Sequence, residues 1–160
     1  MNCFEVNSDG LEDKSRAFNP PFVYGLAHEQ GLVNGTCFAA AVGDGSVRLL
    51  AIGGGGKGGK RRCIEQIGCF DGGHGGGCCS VDFSRPESCS GWRDMEGKVG
   101  RSRWLVSGGN EGNVVVWDMR GGGMKAGVSH GTDINVVKCG WDQGWVWVGG
   151  DTLTLYRFDI

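Results

Sequence analysis

Three segments of the chain share one plan: a short apolar run, a tight polar turn with an acidic residue, and a second apolar run. They are Cys37 to Ile52, Trp104 to Met119 and Trp145 to Asp159. Aligning their turns sets Asp44-Gly45 beside Glu111-Gly112 and Asp151-Thr152. The same alignment brings Leu50, Trp117 and Tyr156 to one position near the end of the second run. Runs of this length, rich in Val, Leu, Phe and Trp and bounded by Gly, Asp and Asn, read as β-strands. No stretch keeps a 3.6-residue apolar period long enough for a helix. Repetition restricts the fold more than any single element does, because a repeated unit must bury its apolar faces against neighbours of its own kind.

The step from Trp117 to Tyr156 is 39 residues, close to the 40 to 45 of a four-stranded propeller blade. The step from Leu50 to Trp117 is 67 residues, longer than a blade by about 25. Two insertions of loop composition, 53–62 and 87–103, account for the excess. The expected fold is therefore all-β: a partial β-propeller of about three four-stranded blades of antiparallel sheet, over about 20–62, 63–123 and 124–160. Ile64 to Phe70 is the candidate outermost strand of a blade. Residues 1–19 read as a solvated tail, in which Cys3 to Val6 is the candidate short strand, and Asn19-Pro20-Pro21 stiffens the entry to Phe22.

Glycine supplies 33 of the 160 residues and gathers in blocks at Gly53 to Gly59, Gly72 to Gly77 and Gly121 to Gly123, where backbone entropy favours loops. The formal net charge is −2, from 16 basic and 18 acidic residues mixed along the chain, so no global field points to nucleic acid or an anionic membrane. Eight cysteines occur without a signal segment over Met1 to Pro20, so the thiols are expected to stay reduced. No apolar run approaches the roughly 20 residues needed to span a bilayer as a helix. A cytosolic or nuclear protein is expected.

Within the middle repeat, the run from Leu105 through Ser107, Glu111 and Gly112 to Trp117-Asp118 resembles the second and third strands of a WD-repeat blade. Upstream, Gly73-His74 and Cys79 to Ser84 resemble the Gly-His and first strand of that family. The resemblance implies a buried hydrogen-bond chain through His74, Glu111, Ser107 and Trp117, with Glu111 standing where the family pattern has aspartate. In the outer repeats Asp44 and Asp151 keep the turn acid, but Leu50 and Tyr156 lack an indole N–H, and His28 and His130 are partners by position alone. The order from Phe18 to the end resembles the C-terminal half of small WD-repeat proteins of plants and animals. Leu105 to Arg120 also resembles the box ending Trp-Asp-x-Arg in WD-repeat substrate receptors of cullin-4-type ubiquitin ligases. That resemblance implies that Asp118 and Arg120 face the damaged-DNA-binding-protein-type adaptor, arginine being suited to bidentate or stacked contact.

Other motifs carry less. Gly54 to Lys60 has the glycine and lysine spacing of a phosphate loop, but Arg61 stands where the magnesium-binding Ser or Thr belongs, and no helix-forming sequence follows. Cys63, Cys69, Cys78 and Cys79 with His74 lack the paired spacings of structural zinc sites, and buried thiols are the expected reading. His74 with Asp82, Glu111 or Cys79 offers no complete catalytic set. Trp145 and Trp147 share a strand face and are expected to pack between blades, with Trp141 nearby. No catalysis, metal or cofactor is expected.

The expected function is a WD-repeat-type scaffold for other proteins, with service to a cullin-4-type ligase as its sharper form. The alternatives are a nucleic-acid-associated binder using Lys57, Lys60, Arg61 and Arg62, and a non-functional truncated fragment. Three blades leave sheet faces and edges open, which the sequence explains by truncation first, then by self-association or assembly with another chain, or by an incomplete sequence.

Overall fold

The computed structural model describes residues 22–30, 36–52, 64–84, 104–119, 121–140 and 144–159. The tail at 1–19 and the insertions at 53–62 and 87–103 lie outside the described residues, as do Arg120 and Trp141. Among the described residues there are eleven strands and no helix. The first sheet is β1 (Val23–Gln30), β2 (Thr36–Val42), β3 (Val47–Ile52) and β4 (Ile64–Phe70), side by side in chain order. The second repeats the plan with β5 (Cys78–Phe83), β6 (Trp104–Gly109), β7 (Asn113–Asp118) and β8 (Met124–Ser129). The third has β9 (Val136–Cys139), β10 (Trp145–Gly149) and β11 (Leu153–Arg157). Every pairing is antiparallel.

The molecule is thus all-β, a partial β-propeller of three blades, the third showing three strands among the described residues. The blade limits expected from the repeat are corrected by one strand. Ile64–Phe70 pairs with Val47–Ile52, and Met124–Ser129 pairs with Asn113–Asp118, so sheets change after Phe70 and after Ser129. A sequence repeat marks similar letters, whereas a sheet ends where the hydrogen-bond ladder ends.

Register places the three repeats on one template. Phe38 lies opposite Leu50, Leu105 opposite Trp117, and Val146 opposite Tyr156. Because side chains alternate across a strand, each sheet has two apolar faces. One face of the middle sheet presents Val81, Leu105, Val115 and Trp117 to Ala27, Ala39, Ala41, Val47, Leu49 and Phe70 of the first. Its other face presents Val106, Val114 and Val116 to Ile134, Val137, Val146 and Val148 of the third unit. Strand β1 lies against β5 and β5 against β9, so the innermost strands line up as they do around a propeller axis.

The hairpin turns explain the acid-glycine pairs. Gly45 and Gly112 adopt φ of 85° and 81°, a left-handed conformation costly for residues with a Cβ, and each N–H bonds back to the carbonyl three residues earlier, at Val42 and Gly109 (3.0 Å each). Side chains also join blades: Ser80 Oγ accepts the Val137 N–H (3.1 Å), and Asp82 Oδ2 accepts the Cys139 N–H (3.0 Å). These bonds satisfy backbone donors on β9 that face away from β10.

Close packing between the second and third sheets needs glycine at position 108, where a Cβ would stand 2.6 Å from Ile134 Cγ2 and 2.8 Å from Val137 Cγ1. Gly108→Ala is expected to destabilise the fold by about 1–3 kcal/mol through overpacking. Gly127→Ala, on the exposed outer strand with only ordinary contacts around it, should change stability by less than about 0.5 kcal/mol. Urea denaturation of both variants measures the contrast.

Candidate functional site

The Gly-His loop and the middle hairpin meet in a buried polar chain. Residues 71–77 carry the backbone from β4 to β5, and the missing side chain of Gly73 leaves room for the Trp117 ring, whose Cζ2 would lie 2.6 Å from a Cβ there. The Trp117 ring also packs on Phe70 with centroids 5.3 Å apart. Its Nε1–H donates to Ser107 Oγ at 2.8 Å. In the neutral imidazole, donation from Nδ1 to the acceptor-only Glu111 carboxylate leaves Nε2 to accept the Ser107 hydroxyl proton, 2.7 Å away. His74 then holds its ring proton on Nδ1 and donates it to Glu111 Oε1 at 2.8 Å. The tautomer follows from the partners.

His74, Ser107, Glu111 and Trp117 are therefore brought together in one chain. The longer side chain of Glu111 still reaches the imidazole. Space for it comes from Gly109, where a Cβ would stand 2.5 Å from Glu111 Oε2 and 2.6 Å from His74 Nδ1. Gly109 is a member of the site that sequence reasoning missed; the available signal was a glycine pair beside an acid one methylene longer than the family pattern. With both ring nitrogens engaged, His74 has no nitrogen to offer a metal or a nucleophile.

The outer blades meet the same positions with other chemistry. In the first, Ser46 donates its N–H and its hydroxyl to Asp44 Oδ1 (2.9 and 2.6 Å), and the Arg48 guanidinium reaches Asp44 Oδ2 at 3.0 Å. Burial alone would raise the Asp44 carboxyl, but the Ser46 and Arg48 hydrogen bonds and the guanidinium charge together hold it below the usual carboxylate range. His28 is not the partner: it is exposed beside Phe38, with ring centroids 6.3 Å apart. In the third blade His130 Nδ1 and the Tyr156 hydroxyl are 2.9 Å apart, a direct bond replacing the serine-bridged one, while Asp151 is exposed in its turn.

Asp118 ends β7 and is half-buried; its N–H donates to the Gly123 carbonyl, and its own carbonyl accepts the Gly122 N–H, both at 2.9 Å. Arg120 lies outside the described residues, so of the two residues expected to contact an adaptor the structure places Asp118. The expectation for the tryptophans is corrected. Trp147 is largely exposed and points away from the core between the second and third blades, because that core takes the alternate residues Val146 and Val148 of β10. Trp145 shares the outward face, with the Arg157 guanidinium 5.7 Å from its ring centroid.

Among the cysteines, Cys37 and Cys78 are buried, Cys79 is half-buried and Cys69 is exposed. Burial first, with the Glu29 charge adding to it, pushes the Cys37 thiol up to about 11. Burial likewise dominates at Cys78, pushed up to about 12. Among the described residues no group of three or more His, Cys, Asp or Glu is arranged to hold a metal ion, and no helix is long and apolar enough to cross a membrane. Cys63 and the basic run Lys57, Lys60, Arg61 and Arg62 lie outside the described residues.

No protein-family model and no curated protein matches the chain. In structure it is similar to a chain of the humanized mutant of the Chaetomium thermophilum Polycomb Repressive Complex 2 bound to the inhibitor GSK126. The TM-score is 0.64 at 15% sequence identity, over 92% of this chain and 30% of that one. It is also similar to a chain of the Chaetomium thermophilum polycomb repressive complex 2, with a TM-score of 0.63 at 16% identity, over 84% of this chain and 27% of that one. At such identity the likeness is one of fold. The chain spans less than a third of the length of these matched chains.

Ser107→Ala strands a buried indole N–H and an imidazole nitrogen, at a cost of about 1–3 kcal/mol for each unsatisfied group. Adding Trp117→Phe to Ser107→Ala should cost less than the two separate losses together, because the second change removes a donor already orphaned. A double-mutant cycle in urea measures that coupling. For the thiols the sign is set by raised values: unfolded cysteines ionise near 9.0, while folded Cys37 and Cys78 keep their protons to about 11 and 12. Stability is therefore fully present below pH 9 and declines as pH rises through that window. Denaturation midpoints at pH 8, 9.5 and 11 under reducing conditions should fall in that order, and Cys37→Ala with Cys78→Ala should flatten the decline.

Proposed function

We propose that the chain is a protein-interaction scaffold of the WD-repeat type, which works by rigid display of loops and sheet edges and carries out no catalysis. The observation that carries this reading is the fully engaged chain from Trp117 through Ser107 and His74 to Glu111. A histidine, an acid and a hydroxyl could suggest hydrolytic chemistry, but here the Ser107 hydroxyl is fully buried and its oxygen already accepts the Trp117 indole N–H, so it is closed to a substrate. The chain stiffens the hairpin whose end, at Asp118, leads to the rim of the blade. Chains of similar fold occur in a multi-protein complex, which fits a role among protein partners. The cytoplasm or nucleus is the setting consistent with reduced, buried thiols.

The sharper form of the proposal rests on the box Leu105 to Arg120 and on the resemblance of the whole to the C-terminal half of the WD repeat-containing protein 53 type. In that form the chain is a substrate receptor of a cullin-4-type ubiquitin ligase. Arg120 and Asp118 contact its damaged-DNA-binding-protein-type adaptor. An arginine in a central contact is worth about 2 kcal/mol or more, or about thirtyfold in affinity. Purified adaptor should retain the native chain and lose Arg120→Ala by about that factor in a titration by biolayer interferometry. Equal binding of the two chains, or none by either, overturns the adaptor reading.

A further inference from the structure

The lysines and arginines among the described residues are Arg48, Lys125, Lys138 and Arg157. Three of them are matched to a carboxylate: Arg48 to Asp44 at 3.0 Å, and Lys138 to Asp82 and Arg157 to Asp159 at 3.5 Å each. Among the described residues Lys125 alone of the four forms no ion pair. It is exposed, and its Nζ stands 5.5 Å from the centroid of the Trp104 ring instead. Register explains the placement. Val116 lies opposite Ala126 and Trp117 opposite Met124, so Lys125 is the extra residue of a β-bulge, a feature that re-aims a side chain. Trp104, at the start of β6, lies opposite Asp118 at the end of β7.

The fold does not require this arrangement. The first blade has the same bulge, at Ile67, with Gln66 opposite Leu50 and Gly68 opposite Leu49. There the equivalents of Trp104 and Asp118 are Cys37 and Ala51, 1% and 7% exposed, so that end of the sheet closes on small buried side chains. The third blade has Trp145 at the Trp104 position, but its cation, Arg157, also meets Asp159. In the middle blade a ring, an unmatched cation and the exposed Met124 surround the end of β7, where Asp118 stands. Stacking on the ring orders the long lysine stem before a partner arrives, so less rotamer freedom is left to lose on contact. A positive charge held at an exposed rim without a carboxylate of its own attracts one from outside.

We infer that Lys125, seated on Trp104, belongs to the same contact surface as Asp118 and receives a carboxylate of the adaptor there. This rests on the adaptor reading above and adds to it the charge that the adaptor must offer at this rim. A hydrogen bond between an ammonium and a carboxylate is charge-assisted, and at an exposed rim it weakens with salt. A nucleic-acid phosphate would match the lysine in charge, but a polyanion laid along this rim would also press on the Asp118 carboxylate and bury Met124. A protein surface can set one carboxylate against Lys125 and other groups beside it.

Biolayer interferometry of the full chain against purified adaptor, with circular dichroism of each variant, tests the contact. Lys125→Glu should bind about tenfold more weakly or worse, because reversal replaces attraction by like-charge repulsion. Lys125→Arg keeps the charge and the stacking, and should stay within about threefold of native. Added salt should weaken the native chain more steeply than Lys125→Glu. Lys125 is exposed, so the dichroism of both variants should match native; if that of Lys125→Glu shifts, Lys125→Ala takes its place, with a smaller loss in the same direction. Native affinity in Lys125→Glu beside a weakened Arg120→Ala overturns this contact and leaves the adaptor reading standing. Equal losses in Lys125→Arg and Lys125→Glu overturn the carboxylate as the group that the lysine meets. No binding of adaptor by the native chain overturns both readings, and if that chain then retains a duplex oligonucleotide that Lys125→Glu loses, the lysine serves phosphate instead.

Discussion

The indole N–H of Trp117 has one proton to give and, at 1% exposure, only a protein acceptor to receive it. Ser107 Oγ is that acceptor, and at the far end the acceptor-only Glu111 carboxylate fixes the tautomer of the His74 ring between them. The hydroxyl proton goes to His74, the imidazole proton goes to Glu111, and the loop of residues 71–77 is held against the hairpin. The same loop joins β4 to β5, so the chain of bonds sets how the first blade is followed by the second. The Trp117 ring, seated over Gly73 and against Phe70, then fills the contact between them.

Each of the other blades solves the same problem with what it has. The first has alanine and leucine in place of Ser107 and Trp117, so its turn acid is left to Ser46 and Arg48, and a buried ion pair stands in for the imidazole. Such a pair holds orientation well but contributes little net stability, because desolvation of both charges offsets their attraction. The third blade replaces an indole by a phenol, whose hydroxyl reaches His130 without a bridging serine. The middle blade is packed on one face against the first blade and on the other against the third, and it should be the last of the three to open.

Much of this was legible in letters. The alternation of apolar runs and acid-bearing turns is a local property, and so the strands and hairpins could be read directly. The four residues of the polar chain were legible through the resemblance to a WD-repeat blade, which a Gly-His, a turn acid and a Trp-Asp at compatible offsets carry. Three features were not. Blade limits depend on which strand closes a hydrogen-bond ladder, and Ile64–Phe70 carries no residue that says so. Both faces of β10 are apolar, so nothing local distinguishes Val146 and Val148, which face the core, from Trp147, which does not; the position of the neighbouring blade decides it. Gly109 resembles any turn glycine until Glu111 is seen to occupy the space that a Cβ would take.

The buried donation from Trp117 can be observed on its own proton. In an amide and indole exchange experiment by nuclear magnetic resonance, Trp117 Nε1–H should persist after transfer to heavy water for as long as the slowest amides of β6 and β7. The indole N–H of Trp147, on the outward face of the third blade, should exchange far sooner. Exchange of the Trp117 indole proton as rapid as that of Trp147 would contradict the buried chain on which the middle blade is built.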